Sequence, residues 1–167
     1  MRTPVFELHI RPLFRATDRE HMAFSLNLWD YDSVVANIDD VIGRVDGGGM
    51  PPDDHSGPWP EEWVALLRRW KATGFKRLDI GTANFTLTRT ATAVTVTATG
   101  TFPAPGITGW LQLESETETA KTYVLYYEAP DSPAGGTPDP FTLKEKYRAA
   151  DTRTVFVHDS AGVRELQ

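Results

Sequence analysis

Asp18 and His21 stand three residues apart in "RATDREHM". On a helix that spacing puts both side chains on one face, where a carboxylate can tune an imidazole for acid–base work. They are the first catalytic candidates. His21, Met22 and the distant Met50 offer a second chemistry, because one imidazole and two thioethers suit Cu(I). Methionine also fills irregular gaps in cores. Core filling is the stronger reading, so no metal is expected.

Three other constellations carry less. "DGGGMPPDDH" (Asp46–His55) gathers three carboxylates and a histidine, but it lacks the ligand order of a calcium loop and the Gly-Lys-Ser/Thr of a phosphate loop. A solvated loop is expected. His158, Asp159 and Ser160 have the letters of a hydrolytic triad, yet neighbours on a strand point to opposite faces and cannot converge. A turn opening on Asp159 accounts for them. Asp39 and Asp40 diverge by about 100° on a helix, as do Glu61 and Glu62, so neither is an acid–base pair.

The elements that must position these groups change period along the chain. "YDSVVANIDDVIGRVDGGG" spaces Val34, Val35, Ile38, Val41, Ile42 and Val45 as one helical stripe, with Asp32 as N-cap and Gly47–Gly49 as the stop. "PWPEEWVALLRRWKATGF" predicts a second helix that starts at Pro60, buries Trp63, Leu66, Leu67 and Trp70, and ends at Gly74. A shorter helix is expected within residues 11–24. After Gly74 the period becomes two. "ANFTLTRT", "TAVTVTATG", "GWLQLESE", "KTYVLYYEA", "TRTVFVHD" and "VREL" read as strands with threonine-rich outer faces. "FTLKEKYRA" reads as a short helix. The fold class is therefore α+β, with a helical domain at 1–78 and a small antiparallel β-sandwich at 79–167.

Composition narrows the function. A net charge of −6 with no basic stripe argues against a nucleic-acid binder. With no cysteine there is no disulfide, thiolate metal site or thioether-bound haem. No run approaches a membrane span and no signal segment opens the chain, so a cytoplasmic setting is expected. Arginine outnumbers lysine 12 to 5, the usage of a GC-rich bacterial genome. Trp59, Trp63 and Trp70 are expected to mark a seam between the halves, or else an apolar pocket or partner surface.

Residues 10–75 also run in a familiar order. Ile10, Pro12, Leu13 and Phe14 come first, then "LNLWDYDSV", "GGMPPDD" and "PEEWVALLRRWKATG". This stretch resembles a small class I c-type cytochrome domain. Where that family has Cys-x-x-Cys-His, this chain has Asp18, His21 and Met22 at the three ligand positions, while Met50 matches the distal methionine. The resemblance implies a scaffold without haem and no cofactor. Met22, Trp29, Tyr31, Met50, Trp59 and Trp63 would then fill or line the vacated space.

The leading expectation is a non-enzymatic accessory or binding protein, taking a protein partner or a small apolar ligand. The alternative is a small cytoplasmic enzyme of a bacterial biosynthetic pathway, with an apolar substrate in the vacated space and Asp18 and His21 as acid and base. A copper- or haem-handling protein ranks third, with His21, Met22 and Met50 as its ligands.

Overall fold

A computed structural model of the chain describes residues 2–48, 57–132, 135–148 and 151–167. It is a mixed α+β structure that divides into two compact units, Met1–Arg77 and Leu78–Gln167. Among the described residues, the helices all lie in the first unit and the strands in the second.

The helical unit opens with a π-helical turn, Phe6–Ile10, followed by a 3-10 turn, Arg11–Leu13. The apolar periodicity gave no sign of the first. His9 makes it, because its Nδ1 accepts the Val5 N–H at 2.9 Å and so occupies a donor that the turn leaves open. Helix α1 spans Ala16–Met22, and Asp18 accepts the Arg15 N–H at 2.9 Å at its start. The single helix expected after Trp29 is two, α2 (Tyr31–Ala36) and α3 (Ile38–Asp46). Asn37 divides them: its Nδ2 donates to the Ser33 carbonyl at 2.8 Å and competes with the helical ladder. The N-cap is Asp30 rather than Asp32, since Asp30 Oδ1 accepts the Ser33 N–H at 2.8 Å.

Helix α4 (Glu61–Ala72) buries Val64, Leu67 and Trp70. Its end is a Schellman motif, with the Phe75 N–H on the Trp70 carbonyl and the Gly74 N–H on that of Lys71. Gly74 supplies the left-handed turn at φ 87°. Phe75 then returns its ring to Trp70, 5.0 Å between centroids, which is the apolar contact such motifs favour. Trp70, Phe6, Ile10 and Leu67 are among the most deeply buried side chains of the unit's core, and Trp59 joins them. Trp59 and Trp70 are buried in the helical unit's own core, and Trp63 is partly buried against it.

The second unit contains two sheets. Strands β1 (Asp79–Ile80), β4 (Thr108–Glu116), β5 (Ala120–Glu128), β7 (Thr154–Asp159) and β8 (Gly162–Leu166) form one. Strands β2 (Asn84–Arg89), β3 (Ala93–Thr101) and β6 (Pro140–Arg148) form the other, in the order β2-β3-β6. The helix expected at "FTLKEKYRA" is strand β6. Its residues alternate inward Phe141, Leu143, Glu145 and Tyr147 with outward Thr142, Lys144, Lys146 and Arg148, and its full length pairs with β3.

The ladders are antiparallel except for β5 and β7, which run parallel. The chain leaves the larger sheet after β5, pairs as β6 in the smaller one and returns, so two reversals restore its direction. Val96 and Ala98 of β3 and Phe141 of β6 share one buried cluster with Leu125 of β5 and Val157 of β7. Among the described residues no helix is long and apolar enough to cross a membrane.

Candidate functional site

Helix α1 brings three of the sequence candidates together. Asp18, His21 and Met22 line a cleft whose apolar walls are Phe14, Leu28, Val41, Val45 and Trp59. Val41 and Val45 are one turn apart on α3, and on the same helix Asp40 and Arg44 add polar groups to the lining. The volume of this cleft is about 50 Å³. A cavity of about 150 Å³ holds a benzene ring, so a cleft this small suits an aliphatic or thioether side-chain tip. A wider groove of about 520 Å³, sharing His21, Met22, Leu26, Asp40 and Arg44, extends past Phe24. Phe24 is 89% exposed.

The polar groups of the cleft have structural partners. Asp18 holds the start of α1 through the Arg15 N–H. Asp40 accepts a 2.8 Å hydrogen bond from Arg44 Nε one turn on. Its neighbour Asp39 points elsewhere and pairs with Lys71 of α4, which is the divergence expected of adjacent helical residues. Sequence reasoning missed Asp40, Arg44 and Phe14 as parts of a site. The i, i+4 spacing of Val41 and Val45 was visible, but it does not say which end of a core stripe stays open.

Three aromatic candidates lie apart from the cleft lining. The Arg19 guanidinium sits 4.1 Å over the ring of Trp29, which is 45% exposed. Tyr31 donates its hydroxyl to the Phe75 carbonyl at 2.8 Å and packs on Phe6 and Trp70. Trp63 meets Trp59 edge-on at 5.6 Å, with Arg15 over its ring. Met50 and most of the Asp46–His55 loop lie outside the described residues. Asp46 itself pairs with Arg68 at 2.6 Å.

The resemblance implies a scaffold without haem, and its three ligand positions, Asp18, His21 and Met22, include no cysteine. Met22, at the position of the haem histidine, lines both the cleft and the wider groove, and there is no cysteine for a thioether bond. For a metal, His21 and Met22 are adjacent at the cleft, and among the described residues no three His, Cys, Asp or Glu side chains converge.

The triad letters near the C-terminus separate in space. His158 Nδ1 meets the Glu114 carboxylate at 2.9 Å. Glu114 is the extra residue of a bulge, since Leu113 pairs with Tyr123 and Ser115 with Thr122. Asp159 accepts from both terminal nitrogens of Arg164, at 2.8 and 2.9 Å, and from the Ala161 N–H. Burial raises its affinity for a proton, but these donors outweigh that and hold its pKa below the ordinary carboxylate range. Ser160 shares a hydroxyl contact with Thr82. The three side chains serve the β7–β8 turn and its neighbours.

At the other end of these strands, Arg153 forks onto Asp151 and reaches Glu116 at 2.6 Å and the Thr117 carbonyl at 3.0 Å. Its hydrogen bonds hold the Asp151 pKa far below the usual range. Lys121 lies 3.3 Å from Asp151 and 4.2 Å over the Tyr147 ring. Every carboxylate of this cluster is occupied by a cation, so it braces the structure and leaves no poised base.

Comparison with models of known families, with curated proteins and with solved structures finds no match for this chain.

Proposed function

We propose that the chain is a non-enzymatic binding protein, and that its helical unit seats one aliphatic or thioether side chain of a partner protein in the Phe14–Met22–Trp59 cleft. The observation that carries this is Phe24, 89% exposed on the wider groove that shares His21, Met22 and Leu26 with the small apolar cleft. An exposed aromatic on a groove that leads to an apolar cleft suits a protein-interface hot spot. The carboxylates Asp18 and Asp40 already serve the helix start and Arg44, which suits binding better than proton transfer. The wider reading, a haem-less cytochrome-like unit followed by a β-sandwich in a bacterial cytoplasm, belongs to the same proposal. The cluster that residues of both sheets share supports its sandwich part.

Site-specific photocrosslinking in the native cell tests it. A photoreactive phenylalanine analogue at position 24 should give a covalent adduct of defined mass. The analogue at Val163, exposed to 59% in the other unit, should not. Filling the cleft with Val41→Phe should remove the adduct. Crosslinks equal at both positions, or unchanged by Val41→Phe, would sink the proposal.

A second reading has one observation behind it: Asp18 and His21 do line the same cleft. If this is an enzyme acting on an apolar substrate, native mass spectrometry should show a small organic ligand. His21→Ala should then abolish turnover with the fold retained.

A further inference from the structure

The outer face of the β2-β3-β6 sheet differs in chemistry from the rest of the molecule. Register sets Thr86 beside Thr97 and Lys144, and Thr88 beside Thr95 and Lys146. The next row is Asn84, Thr99 and Thr142. Arg148 continues the line of cations along β6, opposite Ala93. Side chains two residues apart on one strand recur every ~7 Å, and neighbouring strands lie ~4.8 Å apart. The face is therefore a grid of hydroxyls with one cationic border.

Among the described residues no acidic residue stands on this face, because Glu145 belongs to the inward-facing set of β6. Lys144, Lys146 and Arg148 are all exposed and, among the described residues, have no ion-pair partner. Most of the other exposed cations described above hold a carboxylate: Arg44, Arg68 and Lys71 in the helical unit, and Arg164 in the β unit. In a chain of net charge −6, three unpaired cations in a row are an exception. At physiological salt, charge is screened beyond ~8 Å, so a ligand lying on the face meets the local cations rather than the net charge.

We propose that this face binds a linear acidic polysaccharide, with Lys144, Lys146 and Arg148 holding its anionic groups and the threonine rows holding its hydroxyls. Charge complementarity selects a polyanion. The absence of any aromatic on the face selects a glycan over a single-stranded nucleic acid, whose bases need rings to stack on. The surface is separate from the helical cleft and does not depend on what that cleft binds.

Calorimetric titration of the full chain with a heparin-derived octasaccharide at low salt is the test, with an uncharged dextran octamer and an oligothymidylate of equal charge as comparisons. The heparin fragment should bind and dextran should not. The logarithm of its affinity should fall with that of salt at a slope of about −2, as for three cationic contacts to a single-stranded polyanion. Lys144→Gln with Lys146→Gln and Arg148→Gln should cost at least ten-fold in affinity. Thr86→Val with Thr97→Val should cost several-fold at an unchanged slope. If the triple variant does not fold, amide shifts of β6 on titration of the parent chain, together with Lys146→Gln alone, decide the point. Absence of binding, affinity indifferent to the variants, shifts lying outside this sheet, or oligothymidylate binding as tightly would each overturn the proposal.

Discussion

Gly81 shows how closely the β unit is packed at a single atom. A Cβ added there would penetrate the Tyr127 ring, whose hydroxyl is fixed by donation to the Thr82 carbonyl at 2.8 Å. Gly81 also spends both backbone groups, donating to Leu125 and accepting from Ser160. The ring cannot swing away without giving up its hydrogen bond, so Gly81→Ala should destabilise by about 2–3 kcal/mol. Chemical denaturation would show this as a lower midpoint at constant slope, and an unchanged midpoint would mean that the ring is free to move. At the same scale, Asp18 and His21 were legible as neighbours because helical spacing alone puts i and i+3 on one face. That Asp18 would be taken by the Arg15 N–H was not, because "RATD" does not carry the usual Ser or Thr at the cap. Trp29 and Tyr31 went elsewhere for a related reason. A cation for one and a carbonyl for the other are partners far along the chain, and periodicity is blind to them.

Elements were legible to the extent that one signal ruled each. Helix α4 matches its reading at both ends, with Pro60 before it, two glutamates in its first turn and Gly74 just after it, but its buried face takes in Val64 and leaves Trp63 and Leu66 only partly buried. Gly74 sits at φ 87° with open space where a Cβ would go. The cost of Gly74→Ala is therefore conformational alone, about 1–2 kcal/mol. Thermal melting should report it as a lower Tm, while Gly74→Asn, which tolerates the left-handed region, should lose less. Equal losses in the two variants would place the cost in contacts instead. Strand β6 was misread because Leu, Lys and Glu favour helices, whereas its period of two was written in the same letters. Pairing with β3 over its whole length overrides the propensity. The parallel β5–β7 ladder could not be seen at all, since no local pattern reports in which sheet the intervening strand will pair.

At the scale of the whole molecule, charge is distributed by unit. The helical unit ties α3 to α4 with exposed pairs such as Asp46–Arg68, each worth little in water. The β unit concentrates its charge at Asp151 and Arg153, where Arg89 of β2 also donates to both backbone carbonyls, at 2.8 and 2.7 Å. One cluster thus joins a strand of the smaller sheet to the β4–β5 hairpin and the start of β7 of the larger. Its carboxylates, Asp151 and Glu116, have pKa values pushed down, chiefly by hydrogen bonds from Arg153. A depressed folded pKa means that the unfolded chain binds more protons below the ordinary carboxylate value. Stability is then fully present above about pH 5 and is lost progressively as pH falls through about 4 and below. Thermal melts from pH 7 to pH 2.5 should follow that course. With Arg153→Gln the folded and unfolded pKa values draw together, so the variant should melt several degrees lower at pH 7 yet lose less on acidification. The two curves should draw together as pH falls, and meet only well below the ordinary carboxylate range. Parallel curves would show that Arg153 contributes through packing and carbonyl contacts alone, and that the acid sensitivity of the unit arises at another carboxylate, Asp159 first.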